Sequence, residues 1–208
     1  MLELNHVTKE FGDTVAVDDL SLNVPPGELF ACIGPNGAGK TTTIKMMTGL
    51  LRPTRGEICI FGHDIQMESL EARRLLSYVP DQPYLYDKLS GREFLHFIGK
   101  MYETPGSRIE QKVQELSETF ELGQFLDELG ETYSHGMKQR VVLSAALLHD
   151  PKILVVDEPL VGLDPQGAST LKAVLTRFAA EGGIVFMSTH TLSLAEEVAD
   201  QVGVIHRG

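Results

Sequence analysis

Residues 34–41 read GPNGAGKT; they follow the apolar run ELFACI and open the segment TTTIKMMTGL. The pattern G-x-x-x-x-G-K-[ST] between a strand and a helix is the arrangement that wraps a chain of phosphates. Gly34, Gly37 and Gly39 let backbone N–H groups turn inward, and Pro35, Asn36 and Ala38 complete the loop. The helix that follows adds partial positive charge at its N-terminus. In such a loop Lys40 reaches the β- and γ-phosphates, and the Thr41 hydroxyl, with Thr42 beside it, sits where Mg²⁺ is held.

Two further stretches carry groups suited to the same chemistry. ILVVDEP, residues 153–159, is an apolar strand that ends in two carboxylates. Asp157 is placed for the Mg²⁺ shell, and Glu158, one residue on, can point at an attacking water as a general base. MSTH ends the run GIVFM with His190, in reach of a γ-phosphate or of the base; taken alone, His190 reads as a structural residue. YSHGMKQR, residues 133–140, pairs a hydroxyl and a glycine with a basic tail ahead of an apolar-periodic run. Ser134 there reads as a helix N-cap. A Ser-His hydrolase is set aside, since G-x-S-x-G is absent.

The elements that must position these residues follow from patterning. The N-terminal third alternates strand-like pieces (LELNHV, LSLNV, ELFACIG, GEICIFG) with turns such as FGD and PPG. Helical periodicity then takes over in REFLHFIGKMYE, RIEQKVQELSETFEL and the helix after YSHG. The last part returns to short apolar runs, ILVVD and GIVFMS, each followed by a helical segment, with VGVIH as a final strand. Apolar strands without polar alternation, spaced by helices, imply a parallel sheet covered on both faces. The expected fold is an α/β P-loop core with a parallel sheet, an N-terminal antiparallel β part and an inserted helical subdomain. It forms one domain over 1–208, with core residues 1–82 and 150–208 and the insertion at 83–149.

Composition narrows the function. With 208 residues the chain is long enough to bury a sizeable core without staples. Its two cysteines, Cys32 and Cys59, lie in apolar runs without C-x-x-C and read as reduced core residues of a cytosolic protein. The N-terminus lacks a signal-peptide pattern, and no apolar stretch nears the ~18 residues that span a bilayer, so membrane association must come through a partner. A net charge of −11 disfavours nucleic acid. It does not exclude a nucleotide, because local N–H groups and one lysine outweigh a diffuse field screened beyond about 8 Å.

GPNGAGKT, YSHGMKQR, ILVVDEP, VGLDP and STH, in that order and at these separations, resemble the nucleotide-binding subunits of ATP-binding cassette (ABC) transporters over nearly the whole chain. The resemblance implies an ATPase with ATP and Mg²⁺, at the cytoplasmic face of the membrane through a transmembrane permease subunit. It also implies a second ATP-binding subunit, packed head to tail as a homodimer or heterodimer. Ser134, His135, Gly136 and Met137 then form the signature, usually L-S-G-G-Q, which grips the γ-phosphate on the partner's P-loop. Here it departs at Tyr133, His135 and Met137, while Ser134 and Gly136 keep the hydroxyl and the close backbone approach. His135 either adds a pH-dependent phosphate contact or stands in solvent without one.

By the same resemblance Phe11 stacks on adenine, with core packing as its other reading, and discrimination among purines is loose. In YVPDQPYLY either Asp81 or Gln82 takes the place of the metal-contacting glutamine. Val161 stands where a serine is usual, and Asp164 organises its loop. GREFL, YSHGMKQR and DEPLVGLDP look most like export-type subunits (ABC-2-like) with separately encoded membrane proteins, and partners move through a groove near residues 81–105. The family normally continues past VGVIHRG with another strand and helix. A soluble cassette acting on nucleic acid or ribosomes is the alternative; such relatives usually carry two cassettes or a coiled-coil insertion. A P-loop kinase has no reason to carry the signature.

Overall fold

The computed structural model describes residues 1–208. Nine strands and seven α-helices alternate along the chain. The strands are β1 (Leu2–Phe11), β2 (Thr14–Val24), β3 (Leu29–Ile33), β4 (Arg55–Ile60), β5 (His63–Asp64), β6 (Leu76–Val79), β7 (Ile153–Asp157), β8 (Ile184–Thr189) and β9 (Gln201–Val204). The helices are α1 (Lys40–Met47), α2 (Ser69–Arg74), α3 (Gly91–Met101), α4 (Gly106–Thr119), α5 (His135–Leu147), α6 (Pro165–Ala180) and α7 (Leu192–Val198). No helix is long and apolar enough to cross a membrane.

The chain divides into two compact units. The first comprises Met1–Tyr78, Lys152–Pro159 and Leu175–Gly208. It holds an antiparallel sheet of order β2-β1-β4-β5 and a five-stranded sheet of order β6-β7-β8-β3-β9, in which β7, β8, β3 and β9 run parallel. Every residue of β7 and β8 is buried, as continuous apolar runs require when both faces of a sheet are covered. Phe30 of β3 stacks on Phe186 of β8 at 5.5 Å between ring centroids. Their cluster takes in Ile44, Met46 and Met47 of α1 together with Leu2, Leu4, Ile58 and Ile60 of the antiparallel sheet. One apolar core therefore serves both sheets. Cys32 lies in this core, whereas Cys59 is half-buried on β4, outside the core expected for it; both are free thiols.

The second unit comprises Val79–Pro151 and Leu160–Val174. Arg140 of α5 ties the two stretches of this unit together: it donates through Nη2 to both oxygens of Asp164 at 3.1 and 3.0 Å. Gln166 adds a bond to Glu121 at 2.7 Å. α3 begins in a capping box: Ser90 Oγ accepts from Glu93 N–H at 3.2 Å, and Glu93 Oε2 accepts from Ser90 N–H at 2.8 Å. The second of those bonds, backbone N–H to carboxylate, holds the Glu93 carboxyl below its ordinary pKa.

Candidate functional site

In the first unit the carboxyl ends of β3, β7 and β8 deliver the polar groups to one edge of the parallel sheet, where open α/β folds hold ligands. The loop after β3 is set by sterics. Gly39 caps α1 in the left-handed region (φ 113°), and a Cβ there would lie 2.7 Å from the Ala16 carbonyl oxygen. A Cβ on Gly34 would meet the Ile205 carbonyl oxygen at 2.4 Å. Only hydrogen fits at either place. Lys40 is 7% exposed, and its ammonium donates to the carbonyls of Gly34 (2.6 Å) and Pro35 (3.2 Å), curling over the loop that precedes it. Pro35, Asn36 and Gly37 are exposed, while Ala38 is buried behind them.

Asp157 ends β7 with its carboxylate 2% exposed. One oxygen accepts from Thr41 Oγ1 at 3.1 Å, and the other accepts a short bond from Ser188 Oγ. Glu158 follows in the left-handed region (φ 46°), uncommon for a residue with a Cβ, and its N–H donates to the Ser188 carbonyl at 3.1 Å. That turn sends its side chain away from Asp157 toward β8. There Oε1 lies 2.8 Å from His190 Nδ1 and Oε2 accepts from Thr189 Oγ1 at 3.4 Å. Below the loop, the Cys32 thiol is pushed up to about 11, by burial first and by Asp157 further, against the pull of Lys40.

Lys40, Thr41, Asp157, Glu158 and His190 are thus brought together. Ser188 and Thr189 join them without having been singled out from the sequence. A signal for them exists: aligning ILVVD with IVFMS in parallel register sets Ser188 opposite Asp157, as the β7–β8 pairing has it. Phe11 is 51% exposed, which excludes the core-packing reading.

The second unit holds the other group. Ser134 is the N-cap of α5; its Oγ accepts from Met137 N–H at 3.3 Å, and its own N–H points at the Met137 sulfur at 3.4 Å. Met137 therefore completes, with sulfur, the cap that a glutamine closes with oxygen. Tyr133 is buried beneath the cap. Its hydroxyl donates to the Phe125 carbonyl at 2.7 Å and accepts from Gly91 N–H at 3.0 Å, which satisfies an orphan donor at the start of α3.

His135 is exposed, and it also packs against its own chain. Its ring lies over Gly162, where a Cβ would fall 1.9 Å from His135 Cδ2. Gly162 itself has φ 81°, and its carbonyl oxygen would lie 2.9 Å from a Cβ on Gly136. These three residues are interlocked and share one recess with Met137 and Arg140. Asp164 organises the loop beyond: it accepts from Gly167 N–H at 2.7 Å, a bond that, ahead of Arg140, keeps its carboxyl below the usual range. Val161 is exposed. Asp81 and Gln82 are exposed neighbours in this unit, and Asp81 Oδ1 accepts from Gln82 N–H at 2.9 Å.

Residues 17–161 match the family model described as ABC transporter. The chain is 38% identical to an uncharacterised ABC transporter ATP-binding protein, YhcH, of Bacillus subtilis, 35% to the bacitracin transport ATP-binding protein BcrA of Enterococcus faecalis, and 36% to the daunorubicin/doxorubicin resistance ATP-binding protein DrrA of Streptomyces peucetius. Each alignment covers 100% of this chain and 68, 67 and 63% of the relative, so the chain spans about two thirds of their length. Among solved structures, an ATP-binding subunit of an ABC transporter superposes with a TM-score of 0.95 at 34% identity, covering all of this chain and 87% of that one. A dimeric post-hydrolysis state of the cassette MJ0796 bound to ADP and Pi gives 0.90 at 26%, covering 100% and 95%. None of these relatives favours a role on nucleic acid or ribosomes.

Proposed function

The chain belongs to the ABC transporter family and is an ATP-binding, ATP-hydrolysing subunit, and from that premise we propose how its residues divide the work. ATP lies along Gly34–Thr42 with its base on Phe11, and a second ATP-binding subunit, packed head to tail, closes over the γ-phosphate with Ser134–Met137. Glu158 takes the proton of the attacking water, whose oxygen bonds to the γ-phosphorus as the β–γ bridge breaks and its electron pair leaves with ADP. His190 orients that carboxylate, and Lys40 offsets charge that builds on the phosphate oxygens. The observation that carries this reading is the Glu158–His190 pair standing one residue beyond the Asp157–Thr41 pair at one sheet edge.

The donor set fits Mg²⁺. Thr41 and Asp157 supply hard oxygen donors already 3.1 Å apart, the kind of ligand this ion takes alongside phosphate and water. Bound there, Mg²⁺ neutralises phosphate charge.

Closure of the pair of subunits drives a separately encoded permease of the export type, which holds this chain at the cytoplasmic membrane face. Tyr84, Tyr86 and Phe97 support a docking groove near residues 81–105: all three are exposed, and Tyr86 meets the other two edge-on at 5.8 and 5.6 Å.

Complementation tests the shared site. Lys40→Ala and Ser134→Ala chains are each expected to be inactive alone, because each spoils both sites of its own dimer. Mixed, they form dimers with one intact site, and turnover returns in part. Mixtures that stay as inactive as their components would show that Ser134 does not act across subunits.

A further inference from the structure

Lys9 and Phe11 lie two residues apart near the end of β1, so their side chains leave the strand on the same face. The Lys9 ammonium stands over the Phe11 ring, 5.0 Å from its centroid. It is held there by the Arg52 carbonyl, to which it donates at 2.8 Å. The backbone beneath is pinned by the same segment: Thr54 N–H donates to the Thr8 carbonyl (2.8 Å), Thr54 Oγ1 accepts from Glu10 N–H (3.0 Å), and Arg55 pairs with Glu10 at 2.9 Å. Phe11 is nonetheless 51% exposed. A surface aromatic thus has one face under a tethered cation, on a strand end bonded at three places to residues 54 and 55.

Resting on the reading of Phe11 as the platform for the base, we propose that Lys9 is its positioning residue. The ammonium occupies one face of the ring and leaves the opposite face for an electron-rich nucleobase. Two physical effects follow. A cation over one face draws the ring's π density toward itself, which makes the other face a better partner for an electron-rich base. Fixing the ring before the nucleotide arrives also lowers the ordering cost of stacking. Lys9 acts through Phe11 and touches no part of the nucleotide, so its effect is confined to ligands that carry a base.

The test compares equilibrium binding of ATP with that of ribose 5-triphosphate, which has no base, to the full chain. Lys9→Met keeps the apolar stem and removes the charge; it is expected to weaken ATP about three- to tenfold, with ribose triphosphate unchanged. Lys9→Arg keeps the cation and holds ATP affinity within about twofold. Lys9→Gln serves as a second neutral variant should Lys9→Met not fold. In steady-state assays the loss falls on KM for ATP more than on kcat. Equal weakening of both ligands, or of neither, overturns the proposal. Phe11→Leu separates the two layers: if it selectively weakens ATP while Lys9→Met does not, the role of Lys9 falls and the platform stands. If Phe11→Leu leaves ATP binding unchanged, both fall.

Discussion

Glu158 Oε1 and His190 Nδ1 lie 2.8 Å apart, bridging the end of β7 to the end of β8. The left-handed backbone at Glu158 makes the contact possible, because it turns the side chain off the path that Asp157 takes toward Thr41. Two adjacent acidic residues are thereby given separate surroundings.

Glu158→Gln removes the proton acceptor and keeps shape and hydrogen bonding. It is expected to lower kcat by about 10²–10⁴-fold with ATP still bound. Sedimentation with ATP should then find a persistent dimer, whereas His190→Ala gives a smaller loss of turnover. Near wild-type hydrolysis by Glu158→Gln would remove the carboxylate from its assigned role.

Gly162 is held by conformation and by contact together, since φ is 81° and His135 covers the place of a Cβ. Gly162→Ala is expected to lower stability by about 2 kcal/mol or more, read as the denaturant midpoint. Adding His135→Gly to that variant should return part of the loss, because the clash disappears while the backbone strain remains. Additive losses in the double mutant would mean that the two residues do not meet.

Tyr133→Phe leaves Gly91 N–H and the Phe125 carbonyl without the hydroxyl that joins them, with the ring still in place against Phe125. A loss of about 1–3 kcal/mol is expected, the penalty of orphaned buried polar groups. Chemical denaturation measures it, and an unchanged midpoint would count against the bridge.

Cys32 gives a pH dependence of definite sign. Its thiol is raised from 9.0 to about 11 in the folded chain, mainly by burial, so the unfolded chain loses its proton first. The stability it contributes is complete below pH 9.0 and is lost as pH rises toward about 11. Comparing denaturation midpoints of the wild type and Cys32→Ala across this range isolates the effect; parallel curves would contradict it.

Much of this arrangement was legible because the chemistry is written in contiguous runs. GPNGAGKT follows a strand, ILVVDEP and MSTH each end one, and period and punctuation placed them there. Three short elements escaped. α2 is six residues long, β5 is two, and β6 (LSYV) is four residues running into a proline; none is long enough to display a period. Meetings between distant segments were equally hidden. The packing of His135 on Gly162 and the bridge from Tyr133 to Gly91 depend on how far one backbone lies from another, which no local pattern encodes. Lys9 escaped for a related reason: a lysine near an aromatic is commonplace, and only the Arg52 carbonyl fixes it over the ring.

The two readings of Ser134, local cap and outward-facing ligand, turn out to be compatible. As cap, its oxygen spends a lone pair on the Met137 N–H. A hydroxyl has two lone pairs and one hydrogen, so accepting leaves that hydrogen at liberty to rotate. The side chain can seal the start of its own helix and still donate a hydrogen bond outward, so the contact proposed for it would leave the cap of α5 intact.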